Sequence, residues 1–151
     1  MPVLIIVEHN RQEMQSAAHS TFNPVNDLER ELVLAQTGKS PVPAFIARLV
    51  TDQVFVAINR EIPATGDMTG VVPLLLKSAA GLTMLAVFTA PERAAPMVGQ
   101  FPEYAYGPLA SFGWLLRFCT PQTGVVINPG WSVGIEIPAD GVRQIRRDFG
   151  L

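Results

Sequence analysis

Gly124-Val-Val-Ile127-Asn128-Pro129-Gly130-Trp131-Ser132-Val-Gly-Ile-Glu-Ile137 reads as a strand, a tight turn and a second strand. Proline second and glycine third in Asn128–Trp131 specify a type II turn. The third position needs a positive φ, which glycine adopts without a Cβ clash. Asn128 suits the first position. The β-branched runs Gly124–Ile127 and Ser132–Ile137 are therefore expected to form a hairpin.

Working outward, Pro138 starts a last helix with Val142, Ile145 and Phe149 expected inward. Upstream, Gly107-Pro108 is expected to open a helix with Leu109, Phe112, Leu116 and Cys119 on one face, after a short strand at Glu103–Tyr106. Phe88-Thr89-Ala90-Pro91-Glu92 has the form of a capping box, with a short helix following to about Val98. Before it, Val54–Ile58, Val71–Leu76 and Leu82–Phe88 read as an antiparallel meander. Two helices precede these strands. Asn23-Pro24 caps the first, which turns Val25, Leu28, Leu32 and Ala35 inward and Asp27, Glu29, Arg30 and Glu31 to water, and Gly38 stops it. Ser40-Pro41 opens the second, with Phe45, Ile46, Leu49 and Val50 apolar. This order argues for an α+β fold: a single compact domain over 23–151, with a mixed, largely antiparallel sheet flanked by helices. Residues 1–22 read as an N-terminal appendage, either flexible or adding Val3–Val7 as an edge strand.

At 151 residues the chain can bury a self-sufficient core. Charged residues make up 16 %, against roughly a quarter in an ordinary domain, so apolar surface is expected to be left for a protein partner. A net charge of −2 gives no electrostatic footprint for nucleic acid or anionic lipid. The one basic cluster, Arg143, Arg146 and Arg147, reads as a solvated helix end. No apolar run is long enough to span a bilayer. The single cysteine, Cys119, permits no intramolecular disulfide, in keeping with a cytoplasmic location.

No catalytic motif appears. Gln36-Thr-Gly38-Lys39-Ser40 lacks the earlier glycine of a phosphate loop, since Val33 stands there. Leu109-Ala-Ser111-Phe-Gly113 lacks the first glycine of a nucleophile elbow. His9 and His19 have no metal-ligand spacing, and Cys119 reads as an inert buried thiol, so neither metal nor cofactor is expected. The acids Asp52, Asp67, Glu92, Glu103 and Glu136 are scattered, and only the fold could gather them. Trp131 has two readings beside its turn, a partner anchor if its ring is exposed and a core residue if it folds over the sheet.

Phe88-Thr89-Ala90 with Pro91-Glu92, then Val126-Ile127-Asn128-Pro129-Gly130, preceded by Asn23-Pro24 with Leu28-Glu29, resembles the SseB N-terminal domain family, named for enhanced serine sensitivity. The resemblance covers roughly 23–150, and departs from the family pattern at Ala90, where a serine is common. It implies a bacterial cytosolic domain with no catalytic residues to carry over. A second, C-terminal domain is common in the family, and this sequence ends before one begins. The leading expectation is a non-catalytic binding or regulatory module for a protein partner, with self-association through an open sheet edge as a further one. Its candidate contact residues are Phe88, Thr89, Glu92, Phe101, Asn128, Pro129, Gly130 and Trp131. The alternatives are a sensor of an amino acid or small anion at Pro91-Glu92 and Asn128, and an enzyme with a dispersed acidic site.

Overall fold

β4 (Thr83–Phe88), buried along nearly its whole length, is the strand around which the others are arranged. A computed structural model describes residues 22–151, and residues 4–6 as backbone only. The remaining elements are β1 (Leu4–Ile6), α1 (Asp27–Gln36), α2 (Val42–Thr51), β2 (Gln53–Val56), β3 (Leu75–Lys77), α3 (Ala95–Gln100), β5 (Leu109–Ser111), α4 (Phe112–Leu115), β6 (Gly124–Ile127), β7 (Ile135–Ile137) and α5 (Ala139–Phe149). Short 3-10 turns at Pro91–Ala94, Pro102–Tyr104 and Leu116–Phe118 complete them.

The fold is α+β, with a mixed, largely antiparallel sheet. The parallel pairs are β1–β3 and β4–β6. The pairs β2–β4, β2–β5, β3–β4 and β6–β7 are antiparallel. One side of β4 is shared, its start pairing with β3 and its end with β2, while β6 runs along the other side. The expected meander is thus corrected: β2 and β3 both pair with the same side of β4, whose hydrophobic run is long enough to serve both, and they meet each other only at the Ile58–Pro73 bridge. β1 lies at the sheet's edge against β3. The rest of that appendage, with His9 and His19, lies outside the described residues.

Alternation along the strands divides the core in two. Val54, Val56, Leu85, Val87, Val125 and Ile127 face the layer built from α1, α2, α4 and α5, where Leu28, Leu32, Phe45, Leu49, Phe112, Leu115, Val142 and Ile145 are buried. Ala57, Leu76, Ala86 and Phe88 face the other way and are covered by Ala94, Met97 and Tyr104.

Four local expectations are corrected. The cap of α1 is Asn26, whose Oδ1 accepts from Glu29 N–H at 2.8 Å, instead of Asn23. Glu103–Tyr106 is a 3-10 turn leading into a bridge between Tyr106 and Ile58. The helix expected from Pro108 begins only at Phe112, capped by Ser111, because Leu109–Ser111 pairs with β2. Gly107 makes that pairing possible, since a Cβ there would stand 2.0 Å from the Val56 carbonyl oxygen. Phe149, expected inward, is 41 % exposed in the last turn of α5.

Candidate functional site

Three sequence-distant segments converge at one end of the sheet: the first turn of α1, the exit of β4 and the turn after β6. Glu29, expected to face water, is fully buried there, and this is the main correction to the sequence reading. Its Oε1 accepts from Arg93 Nη2 at 2.8 Å and from Val25 N–H at 3.0 Å. Its Oε2 accepts from Arg93 Nε at 2.9 Å and from the Thr89 hydroxyl at 2.6 Å. Burial, the largest single influence, pushes the Glu29 pKa up. The Arg93, Thr89 and Val25 donors, with the Arg93 charge, outweigh it and hold the pKa below the ordinary carboxylate value. The carboxylate is therefore ionised and has no open lone pair, so it is poorly suited to take a proton from a substrate.

Arg93 is 6 % exposed. Besides Glu29, its Nη2 donates to the Asn23 carbonyl at 2.6 Å. Its guanidinium lies 3.9 Å from the centre of the Phe22 ring and 4.8 Å from that of Trp131, and the two rings meet edge-on. Trp131 Nε1 in turn donates to the Arg93 carbonyl at 2.8 Å. The indole is half-buried and fixed from two directions, a clamp on Arg93 more than a free anchor.

Thr89 does not act as a helix cap, contrary to the capping-box reading. Ala90 is the cap residue of the 3-10 turn, and it has no side chain to cap with. The single Thr89 hydroxyl hydrogen goes to Glu29, since a charged acceptor draws it more strongly than the Asn128 amide oxygen, 3.2 Å away. Asn128 Nδ2 donates to Thr89 Oγ1 at 2.9 Å and to the Val133 carbonyl at 3.2 Å, while its Oδ1 accepts from Thr89 N–H at 3.0 Å. Asn26 Nδ2 adds a bond to the Thr89 carbonyl at 2.9 Å. A threonine hydroxyl beside a carboxylate has the outline of an activated nucleophile. Here Thr89 is 1 % exposed, and neither surface hollow described below includes it.

Asn128 sits at φ 55°, a left-handed conformation that asparagine tolerates, and Gly130 at φ 90°. With the Trp131 N–H bonded to the Asn128 carbonyl at 3.1 Å, the type II turn forms as expected. Gln36 closes the cluster from the end of α1. Its Nε2 donates to the Ser132 carbonyl, and its Oε1 accepts from Gly134 N–H at 2.9 Å. Ser132 Oγ is the one buried side-chain oxygen or nitrogen without a partner among the described residues.

Of the remaining candidates, Phe88 and Pro129 are buried, Gly130 is half-buried and Glu92 is exposed. Phe101 packs against the second core cluster and Trp131 against the first, so the structure does not bring those two together. Sequence reading missed Glu29, Arg93, Asn26 and Gln36. For Glu29 a signal existed: Leu28, Glu29 and Leu32 fall on one helical stripe, whereas Val25, expected inward, is 50 % exposed ahead of the helix.

Two surface hollows lie elsewhere. A cleft of about 440 Å³ is lined by Ile58, Glu61, Ile62, Ala105, Tyr106, Gly107 and Pro108. A shallow one beside Leu76, Met84, Val126 and Pro129 contains Lys77 and Glu136. Neither gathers two of Asp52, Asp67, Glu92, Glu103 and Glu136. Cys119 is largely buried, which pushes its thiol pKa up to about 11 against the opposing charge of Arg146. No described helix is long and apolar enough to cross a membrane.

A family model described as the SseB protein N-terminal domain matches residues 28–144. No curated protein and no solved structure matches the chain at a significant level.

Proposed function

The chain belongs to the SseB family, and on that premise we propose that it is a non-catalytic binding module that engages a protein partner. The observation carrying this reading is where the polar chemistry lies. Glu29, Thr89 and Asn128, one from each of three motifs, are at most 1 % exposed and are bonded to one another or to Arg93. They brace the fold and leave little for a substrate. The accessible features instead include exposed apolar side chains. Tyr106 is 45 % exposed at the mouth of the cleft, with Ile62 and Pro108 beside it. An exposed aromatic lining a cleft is a common anchor of a protein interface.

The cleft also has the volume of a small-molecule site, which supports a ligand sensor as a second reading. Its one charged lining residue is Glu61, which would repel an anion and favour a cationic ligand.

Affinity capture with the full chain, alongside a folded Tyr106→Ala variant, tests the leading reading. Recovery of the wild-type partner should fall by about ten-fold or more in the variant. Equal recovery would contradict it.

A further inference from the structure

β5 ends the main strand path, and no other described strand covers its outer side. Ile58 and Tyr106 exchange both backbone hydrogen bonds, and the Pro108 carbonyl accepts from Val56 N–H. With the register Val54↔Ala110, this sets Tyr106, Pro108 and Ala110 as the inward-bonding residues. Antiparallel alternation then turns the backbone groups of Gly107, Leu109 and Ser111 outward.

Natural sheets guard such edges with prolines and charges. Here neither guard operates. Pro108 sits at an inward-bonding position, so its missing donor is lost to the inner ladder and the outer edge keeps its own. From Tyr104 to Leu116 no residue is charged, whereas the edge strand β7 carries Glu136. Leu109 is 50 % exposed on this unguarded edge.

We propose that β5 pairs antiparallel with β5 of a second copy of this chain, about a twofold axis at Leu109. An isologous contact sets each residue against its own reflection. Leu109 meets Leu109 and exchanges both backbone bonds, Gly107 meets Ser111, and Pro108 meets Ala110. Any charge at 109 would face its twin, and like charges directly opposite are destabilising. The absence of charge along this edge removes that penalty for a second copy. Gly107 presents no side chain to obstruct Ser111. The inference stands apart from the binding reading, since a homodimer could serve a binding module or an enzyme equally.

Light scattering on the eluting full chain, loaded up to about 100 μM so that a micromolar dimer is populated, should give twice the 16.4 kDa chain mass. Leu109→Lys and Leu109→Glu should each elute at the single-chain mass with unchanged circular dichroism. Mixing the two should restore the doubled mass, because opposite charges then face across the axis. A wild type at single-chain mass would overturn the proposal. So would doubled mass in both variants, or a mixture that stays monomeric. A normal partner capture with a monomeric wild type would defeat only this inference. A dimer that captures nothing would defeat only the binding reading.

Discussion

At Glu29 four donors converge on one carboxylate that sees no solvent. At Leu109 a backbone amide and carbonyl look outward beside a half-exposed side chain. Both regions hold polar groups at the margin of the same sheet, yet one is closed on itself and the other open. The difference lies in what the residues are for. The motif residues Glu29, Thr89 and Asn128 tie α1, β4 and β6 together. Those free to meet another molecule are small or apolar and carry no motif.

The contrast can be attacked first at its closed side. Glu29→Ala leaves the Arg93 guanidinium buried without its counter-charge, which should cost about 3–5 kcal/mol; urea denaturation would read this as a lower midpoint. A loss below about 1 kcal/mol would mean that the pair is solvated in solution. Acid offers the same probe without mutation. Because the folded-state pKa of Glu29 lies below its unfolded value, the unfolded chain binds the extra proton. Glu29's contribution is therefore complete above about pH 4.3 and is lost as pH falls through the folded value. The stability gap between wild type and Glu29→Ala should narrow in that window, as pH-dependent denaturation curves would show.

Thr89→Val keeps the shape but removes one of the two donors to Glu29 Oε2 and the Thr89 acceptor of one Asn128 amide hydrogen. The expected loss is about 1–3 kcal/mol by the same denaturation. The open side should be nearly indifferent. Tyr106→Ala removes surface only, and monomer stability should stay within about 0.5 kcal/mol of wild type. A larger loss would show that the cleft is part of the core and is not a docking surface.

Much of the frame was legible in the sequence. Leu82–Phe88 and Gly124–Ile127 read as strands through their β-branched runs, and the Asn128–Trp131 turn through its proline and glycine. Local chemistry decides those elements. β5 was not legible, because Leu109, Phe112 and Leu116 mimic a helical stripe and only pairing with β2 makes Leu109–Ser111 extended. Glu29 was misread for a related reason. Lying between Asp27 and Arg30 it looks like part of a solvated run, and only Arg93, far along the chain, makes its burial tolerable. Thr89 and Asn128 were singled out, but for a cap and a turn. Their shared role depends on two strand ends meeting, which no local pattern encodes.

The most direct test of the closed cluster is a double-mutant cycle on Glu29 and Arg93, measured by chemical denaturation. Glu29→Leu and Arg93→Met alone should each cost about 3 kcal/mol or more, while the double variant recovers most of the loss, because neither charge is left unpaired. Losses that simply add would contradict the account, showing that Glu29 and Arg93 stabilise the fold independently and that no buried ion pair holds the three motifs together.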